Sequence, residues 1–162
     1  MAQVPYQTLF TELAQRGIRY LVAGGFAVNF HQVQRATMDL DLIVHLESSN
    51  LVKFVELVTE LGFVPRVPVP ARELADEAKR AVWLKDKHMK VFSFYHPKNS
   101  FEVLDIFIQE PRPFDDLDKN KILIQAFGVQ VPVVGVDDLI EMKKEAGRDK
   151  DLFDISQLRK KK

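Results

Sequence analysis

Asp39 and Asp41 are separated by one residue in a segment whose apolar residues recur at every second position. That alternation predicts a β-strand, and residues two apart in a strand point to the same side, so both carboxylates should face one way. The apolar row on the other side accounts for the strand without the acids: Met38, Leu40, Leu42 and Val44. Neighbouring carboxylates repel each other unless a cation or a shared proton lies between them. The pair therefore favours a cation site, and a solvent-facing edge of a half-buried strand stays open as the alternative.

A glycine pair and a short polar loop precede the two acids. Gly24 and Gly25 follow the apolar run Tyr20–Ala23 and lie before a helix-like stretch. Without a Cβ atom, backbone N–H groups at the start of a helix can approach a phosphate closely. Arg35 and Thr37 then occupy a loop position suited to anion or hydroxyl contacts. The dinucleotide fingerprint G-x-G-x-x-G is absent, but a Gly-Gly pair followed by R-x-T-x-D-x-D is a specific combination.

This combination resembles the signature of the nucleotidyltransferase superfamily, which has the DNA polymerase beta-like fold. The match comprises Gly24-Gly25 and Asp39-x-Asp41, and the flanking Arg35-x-Thr37 resembles small prokaryotic members of toxin–antitoxin and abortive-infection (AbiEii-type) phage-defence systems. The resemblance implies an α+β fold, with a mixed β-sheet flanked by helices, and a site for two Mg²⁺ (or Mn²⁺) ions. It also implies transfer of a nucleoside monophosphate from a nucleoside triphosphate, such as ATP, to an acceptor hydroxyl.

Asp105 lies on the second strand-like segment that carries an acid. Both faces of Phe101–Ile108 are apolar, which predicts an interior strand where an ionised carboxylate is costly unless it is paired or binds a metal. A partner arginine or a backbone cap is the structural alternative. The resemblance implies that Asp105 is the third metal ligand beside Asp39 and Asp41. Two ions about 4 Å apart can activate an attacking hydroxyl and stabilise the leaving pyrophosphate.

Lys143 is predicted on the inner face of a helix that spans Gly135–Gly147. It lies four residues after Leu139 and three after Ile140, whereas Lys144 is rotated by about 100° towards solvent. A lysine on an inner face needs an anion or must extend its amine to water. The resemblance favours contact with the triphosphate.

The end of the chain also resembles this family. We interpret three of its charged residues mainly as structural ion pairs, namely Arg148, Asp151 and Asp154, with an apolar stripe formed by Leu152, Ile155 and Leu158. The four histidines are dispersed without zinc-ligand spacing. His31 is close to the glycine pair and is expected at the surface.

Composition fits one globular domain over residues 1–162. The chain has 46% apolar residues, 23 basic and 23 acidic residues, and no cysteine, which excludes disulfides and thiolate metal sites. Met1–Phe10 lacks the features of a signal peptide, and no apolar run approaches the length of a membrane span. A cytoplasmic protein is expected.

The remaining periodicities predict alternating helices and strands. The predicted helices are Pro5–Arg16, Phe26–Gln32, Leu51–Leu61 with its cap in Ser48–Asn50, a helical turn at Phe114–Leu117, Gly135–Gly147 and Lys150–Arg159. The predicted strands are Ile18–Ala23, Met38–His45, Phe63–Val67, Lys90–Tyr95, Phe101–Ile108, Lys121–Ala126 and Val129–Val134. Ala71–Met89 is interpreted as a helix or lid over the site.

The sequence therefore favours a metal-dependent nucleotidyltransferase. Asp39, Asp41 and Asp105 would be its catalytic metal ligands, while Gly24, Gly25, Arg35, Thr37 and Lys143 would bind the nucleotide. The acceptor could be an RNA end, a protein or a small molecule, and a cognate toxin or antitoxin is a candidate partner. The alternative is a catalytically silent binding module with the same fold, for example an antitoxin.

Overall fold

The computed structural model describes residues 5–162, and its centre is a mixed seven-stranded sheet. In chain order the strands are β1 Tyr20–Ala23, β2 Asp39–Val44, β3 Val64–Pro65, β4 Val91–His96, β5 Asn99–Phe107, β6 Ile122–Ala126 and β7 Val129–Val133. Their order across the sheet is β3-β4-β5-β2-β1-β7-β6. Helices flank this sheet, so the predicted α+β class is confirmed. The two acid-bearing strands, β2 and β5, are parallel neighbours in the middle of it.

Seven α-helices and one short 3-10 helix complete the described part of the chain. They are α1 Gln7–Gln15, α2 Gly24–Phe30, α3 Ser48–Glu60, the 3-10 helix Ala71–Ala75, α4 Glu77–Asp86, α5 Phe114–Lys119, α6 Val136–Ala146 and α7 Asp149–Arg159. None of the helices within residues 5–162 combines the length and apolarity that a membrane crossing requires. The signal-peptide expectation concerns Met1–Phe10, of which residues 1–4 lie outside the described part.

Strand β2 is buried on both faces towards its end, which differs from the predicted alternation. Leu40, Leu42 and Val44 are fully buried as expected, but Ile43 is also buried, with 1% of its surface exposed. Met38 was predicted in the apolar row, yet it precedes the strand and is 57% exposed. A strand in the middle of a sheet is covered on both sides, so simple alternation holds only at its acid-bearing start.

The segment Ala71–Met89 does form helices, but it is not a lid over the acids. Leu74 and Trp83 are buried in the core, and the Trp83 ring packs 5.2 Å from the Phe92 ring of β4, measured between centroids. None of its residues lines the pocket that holds the acids. The two buried apolar side chains explain its position, because a segment that buries Leu and Trp is anchored to the core.

Two predicted details of the helices are wrong. Glu47, and not Ser48–Asn50, caps α3, because its carboxylate accepts a hydrogen bond from the Ser49 backbone N–H. Leu152 was assigned to the inner stripe of α7 but is 56% exposed. The inner face of α7 instead combines apolar Ile155 and Leu158 with two buried carboxylates, Asp151 and Asp154. Those two acids position part of the site described below.

Candidate active site

Sheet register brings the three predicted acids together. Asp41 of β2 lies directly opposite Asp105 of β5, and Asp39 lies opposite Val103 in the same parallel ladder. Because side chains alternate along strands, these four residues share one face of the sheet. A pocket of about 350 Å³ is lined by all three acids, Asp39, Asp41 and Asp105. Two segments 64 residues apart in sequence thus supply one cluster of carboxylates.

Gly24 and Gly25 are required by close contacts with the protein's own side chains. Gly24 has φ +61°, and a Cβ atom at this position would collide with the carboxylate oxygen Oδ2 of Asp41. At Gly25 a Cβ atom would lie 2.6 Å from Oγ1 of Thr37 and 3.4 Å from Nη1 of Arg35. A side chain at either glycine would displace the neighbouring polar groups. The glycine pair therefore lets α2 begin against the acid, the threonine and the arginine.

Burial and neighbouring negative charges both act on the carboxyl group of Asp41. Burial, followed by the negative charges of Asp105 and Asp39, raises the pKa of Asp41 to about 7. The positive charges of Lys143 and Arg148 act in the opposite direction but do not outweigh these effects. A group of carboxylates with this repulsion holds a proton near neutral pH or gains from a bound cation.

Asp105 has a structural partner that was not among the predicted alternatives. Oγ of Ser93 donates a hydrogen bond of 2.6 Å to Oδ1 of Asp105. Ser93 lies opposite Asp105 in the β4–β5 hairpin, so the contact follows from the register of that hairpin. Counting residues outward from the predicted turn would have paired Ser93 with Val103, because a register shift between Tyr95 and His96 moves the pairing by two residues. The Ser93 hydroxyl fixes one carboxylate oxygen of an acid that lines the pocket.

Tyr6 connects the two acid-bearing strands and was missed in the sequence. Its hydroxyl lies 2.8 Å from the carbonyl oxygen of Met38 and 3.0 Å from that of Val103, and it accepts a 2.9 Å hydrogen bond from the Val103 N–H. Burial is the main cause that raises its pKa to about 12, and the charge of Asp39 adds to it. A neutral phenol thus ties the chain next to Asp39 to the chain two residues before Asp105.

Lys143 lies on the inner face of α6, where its ammonium group contacts two buried carboxylates. Only 5% of Lys143 is exposed, and Nζ is 3.0 Å from Oδ2 of Asp154 and 3.4 Å from Oδ1 of Asp151. Lys144 points to solvent and pairs with Glu141, as the predicted helix phase requires. Lys143 therefore does not extend to water, because the carboxylates of α7 compensate its charge.

The same two carboxylates hold two arginines. Asp154 accepts a 2.7 Å hydrogen bond from Nη1 of Arg35, and Asp151 accepts bonds of 2.6 Å and 3.2 Å from Nε and Nη2 of Arg148. Burial acts to raise the pKa of Asp151, but the hydrogen bonds from Arg148 and the charge of Lys143 outweigh it, so this pKa is lowered. Three cations are thus fixed by two acids, which leaves one net positive charge on this ion-pair cluster.

The pocket wall contains every residue that was predicted to bind the metal or the nucleotide. Its predicted members are Gly24, Gly25, Arg35, Thr37, Asp39, Asp41, Asp105 and Lys143, and it is completed by Ala36, Met38, Arg148 and Lys150. Their catalytic and binding roles stay predictions. His31 lies elsewhere, with Nε2 2.8 Å from the carbonyl oxygen of Val134.

The donor chemistry of this pocket fits a hard divalent cation. Mg²⁺ prefers carboxylate oxygens and binds through one or two carboxylates together with substrate phosphates. Within residues 5–162, no three acidic or histidine side chains are spaced closely enough to hold a metal ion by themselves. Burial and the nearby charges of Asp105 and Asp39 raise the pKa of Asp41, which favours a cation beside it, and substrate phosphates supply further oxygen ligands of the kind that Mg²⁺ prefers.

Similarity to known proteins is found in structure and not in sequence. No protein-family model matches the chain, and no curated protein matches it in sequence. The lincosamide antibiotic adenylyltransferase LnuA, solved with lincomycin bound, superposes with a TM-score of 0.64 at 14% identity, over 96% of this chain and 94% of that one.

Two further structures are similar. ANT(2")-Ia in complex with adenylyl-2"-tobramycin has a TM-score of 0.59 at 15% identity, with 94% of this chain and 86% of that chain covered. An antigenic nucleotidyltransferase-like protein from Paracoccidioides brasiliensis has a TM-score of 0.56 at 16% identity, with 94% and 72% covered. At these identities the similarity establishes the fold alone, and the chain has the nucleotidyltransferase fold.

Proposed function

We propose that this protein is a metal-dependent nucleotidyltransferase that moves a nucleoside monophosphate from a nucleoside triphosphate to an acceptor hydroxyl. The observation that carries the proposal is the convergence of Asp39, Asp41 and Asp105 in one pocket whose wall also contains Arg35 and Lys143. Structural ion pairs alone do not require three carboxylates on one face of a sheet. Their repulsion costs stability unless the site binds a cation.

The acidic and the basic residues of the pocket would have different roles in the reaction. Asp39, Asp41 and Asp105 would hold the metal, and bound Mg²⁺ or Mn²⁺ would activate the hydroxyl and stabilise the leaving pyrophosphate. Asp105 would accept the proton as the acceptor oxygen bonds to the α-phosphorus and the bond to pyrophosphate breaks. Lys143 would neutralise part of the charge on the triphosphate.

The glycine pair and the loop before β2 would orient the triphosphate. Gly24 and Gly25 line the pocket at the start of α2, where their backbone N–H groups would cradle phosphate oxygens. Arg35 and Thr37 would contribute a guanidinium and a hydroxyl from the loop before β2. Asp154 fixes Arg35 and Lys143, and this pre-ordering lowers the entropy cost of binding a flexible triphosphate.

The proposal covers several classes of acceptor and more than one biological system. Two of the structural neighbours were solved with an antibiotic or an adenylylated antibiotic, lincomycin and adenylyl-2"-tobramycin, which supports a small hydroxyl-bearing acceptor. An RNA end or a protein hydroxyl remains in the proposal through the family resemblance. The proposal also includes a role in a toxin–antitoxin or phage-defence system with a cognate partner, which Arg35-x-Thr37 supports. It further includes a cytoplasmic location, which the overall composition supports.

Calorimetric titration separates the enzyme from a catalytically silent module. A non-hydrolysable triphosphate is titrated with Mg²⁺, with Mn²⁺ and with excess chelator. The enzyme should bind the triphosphate only when a metal is present, and the double variant Asp39→Asn, Asp41→Asn should lose this metal-dependent binding. Metal-independent binding, or no binding under any condition, would support the silent module instead.

A further inference from the structure

A separate cavity of about 550 Å³ lies beyond the carboxyl ends of the two acid-bearing strands. Its walls are the residues that directly follow these strands, His45–Glu47 after β2 and Ile108–Glu110 after β5, together with one face of α4. In open sheets, the loops that leave the carboxyl ends of parallel strands often form ligand crevices. His45 lies four residues beyond Asp41, which is about 13 Å along an extended strand. The cavity shares no lining residue with the carboxylate pocket, and no role assigned above uses it.

Arg80 of α4 lines this cavity and is buried, with 6% of its surface exposed. Its Nη1 donates a 2.7 Å hydrogen bond to the carbonyl oxygen of Leu74. The other edge of the guanidinium, formed by Nε and Nη2, makes no hydrogen bond or ion pair within residues 5–162. Arg148 uses the same two nitrogens to hold Asp151. Because a buried charge is costly unless it is paired, Arg80 would gain from an acceptor at this edge.

The free edge of Arg80 is accessible from the cavity. In the described part of the chain, the fully enclosed side-chain polar atoms without a hydrogen bond are the Tyr20 hydroxyl and Nδ1 of His45. Nε and Nη2 of Arg80 are not among these enclosed atoms, although they have no partner either. Solvent therefore reaches them, and a ligand in the cavity that Arg80 lines can accept their hydrogen bonds.

Three acidic side chains, Glu47, Glu77 and Glu110, also line the cavity. Burial lowers the pKa of Arg80, and the charges of Glu77 and Glu110 oppose this effect without forming an ion pair with it. The carboxylate of Glu110 is held in place, because it accepts hydrogen bonds from two backbone N–H groups. Three acids and one arginine give the cavity a net negative charge. A simple anion would be repelled, whereas a ligand that also carries a positive group would be attracted.

We propose that this cavity is a second binding site, which takes a small zwitterion of the type of an apolar α-amino acid. The carboxylate of the ligand would accept two parallel hydrogen bonds from Nε and Nη2 of Arg80, as in bidentate arginine–carboxylate pairs. The ammonium group would face the carboxylates of Glu77 and Glu110. Leu84 and Ile108 provide apolar wall for the side chain of the ligand. The inference does not rest on the proposed transfer reaction, because its residues lie outside the carboxylate pocket.

Calorimetric titration with the standard L-amino acids, without nucleotide or added metal, tests the site. For each amino acid that binds, two probes remove one charged group at a time. For leucine these probes are 4-methylpentanoate, which has no amine, and 3-methylbutylamine, which has no carboxyl group. Arg80→Met keeps an unbranched side chain but removes the guanidinium. Arg72→Met is the matched control, since Arg72 is an exposed arginine in the 3-10 helix before α4.

An apolar amino acid should bind the wild type, and both single-charge probes should bind at least about tenfold more weakly, the scale of a lost charge-assisted hydrogen bond. Arg80→Met should weaken binding of the amino acid by at least the same factor, and Arg72→Met should not change it. Glu77→Gln, at an exposed position, is a second variant that does not alter the buried arginine. It should weaken binding of the amino acid but not of the amine-free acid.

Three results would overturn the inference. They are no binding of any apolar amino acid, equally tight binding of the amine-free acid, and binding to Arg80→Met that equals binding to the wild type. Because nucleotide and metal are left out, each of these results concerns this cavity alone and leaves the proposed nucleotidyl transfer to its own test.

Discussion

Arg35 and Lys143 share one acceptor atom, Oδ2 of Asp154, at 2.7 Å and 3.0 Å, although 108 residues separate them in the sequence. Asp154 is buried, with 1% of its surface exposed. A helix at the end of the chain therefore fixes a loop arginine and a helix lysine at the wall of the carboxylate pocket. This relationship makes α7 part of the site, although none of its apolar residues lines the pocket.

The first prediction concerns this shared carboxylate. Asp154→Asn should lower the free energy of unfolding by about 3–5 kcal/mol, because it leaves two enclosed cations with reduced compensation. Urea unfolding monitored by circular dichroism measures this change. Glu145→Gln removes the acid of the exposed Arg112–Glu145 pair and should change stability little. Similar changes in the free energy of unfolding for the two substitutions would show that Asp154 does not hold Arg35 and Lys143 in place.

The second prediction concerns Lys143 and Lys144, which are adjacent residues of the same type. Lys143→Met should weaken triphosphate binding by about 1–3 kcal/mol, the scale of a charge-assisted hydrogen bond. The loss should be smaller for a monophosphate, because the missing partner is the phosphate tail. Titration with a non-hydrolysable triphosphate measures both, and Lys144→Met is the control on the solvent face. An equal or larger effect at Lys144 would contradict the assigned role.

The third prediction concerns Tyr6, whose hydroxyl joins the residue before β2 to the middle of β5. Tyr6→Phe should lower the free energy of unfolding by about 1–3 kcal/mol, since the Val103 N–H loses a buried partner. It should also raise the Mg²⁺ concentration needed for half-maximal triphosphate binding, because Asp39 and Asp105 are no longer held in register. Tyr95→Phe, at a position 38% exposed, is the control. An unchanged metal requirement would restrict Tyr6 to a role in stability.

The fourth prediction concerns the pH dependence of the metal-free protein. The pKa of Asp41 is raised in the folded state to about 7, so its contribution to stability is fully present below pH 3.8 and is lost as the pH rises through 7. With chelator, Asp41→Asn should therefore be more stable than the wild type by about 1–3 kcal/mol at pH 8, and by less at pH 5. Urea unfolding at the two pH values tests this, and an advantage that is the same at both would contradict it.

Much of the fold was predictable because its signals are local. The hairpin of β4 and β5 follows from two apolar segments around a turn, and the inner position of Lys143 follows from its spacing to Leu139 and Ile140. The glycine pair and the paired acids were recognisable for the same reason, since their spacing lies within one short segment.

The missed features depend on contacts between distant segments. Tyr6 gave no signal, because its hydroxyl contacts chain positions more than 30 residues away that meet only in the folded sheet. The exposed Met38 and the buried Ile43 show that neighbouring strands and helices, more than alternation, decide which residues of a central strand are covered. Leu152 was misplaced because two ion-paired acids, Asp151 and Asp154, occupy the inner face of α7 that an apolar stripe would otherwise take.

The most direct test of the central claim follows the α-phosphate of the nucleotide. Protein, Mg²⁺ and a cell extract are incubated with nucleoside triphosphates that carry a radioactive label at either the α- or the γ-phosphate. The account predicts that the α-label becomes attached to an extract component while the γ-label leaves as pyrophosphate, and that Asp39→Asn, Asp41→Asn and Asp105→Asn each abolish this transfer. Transfer that survives in these variants, or an extract that stays unlabelled with the wild type and every triphosphate, would contradict it.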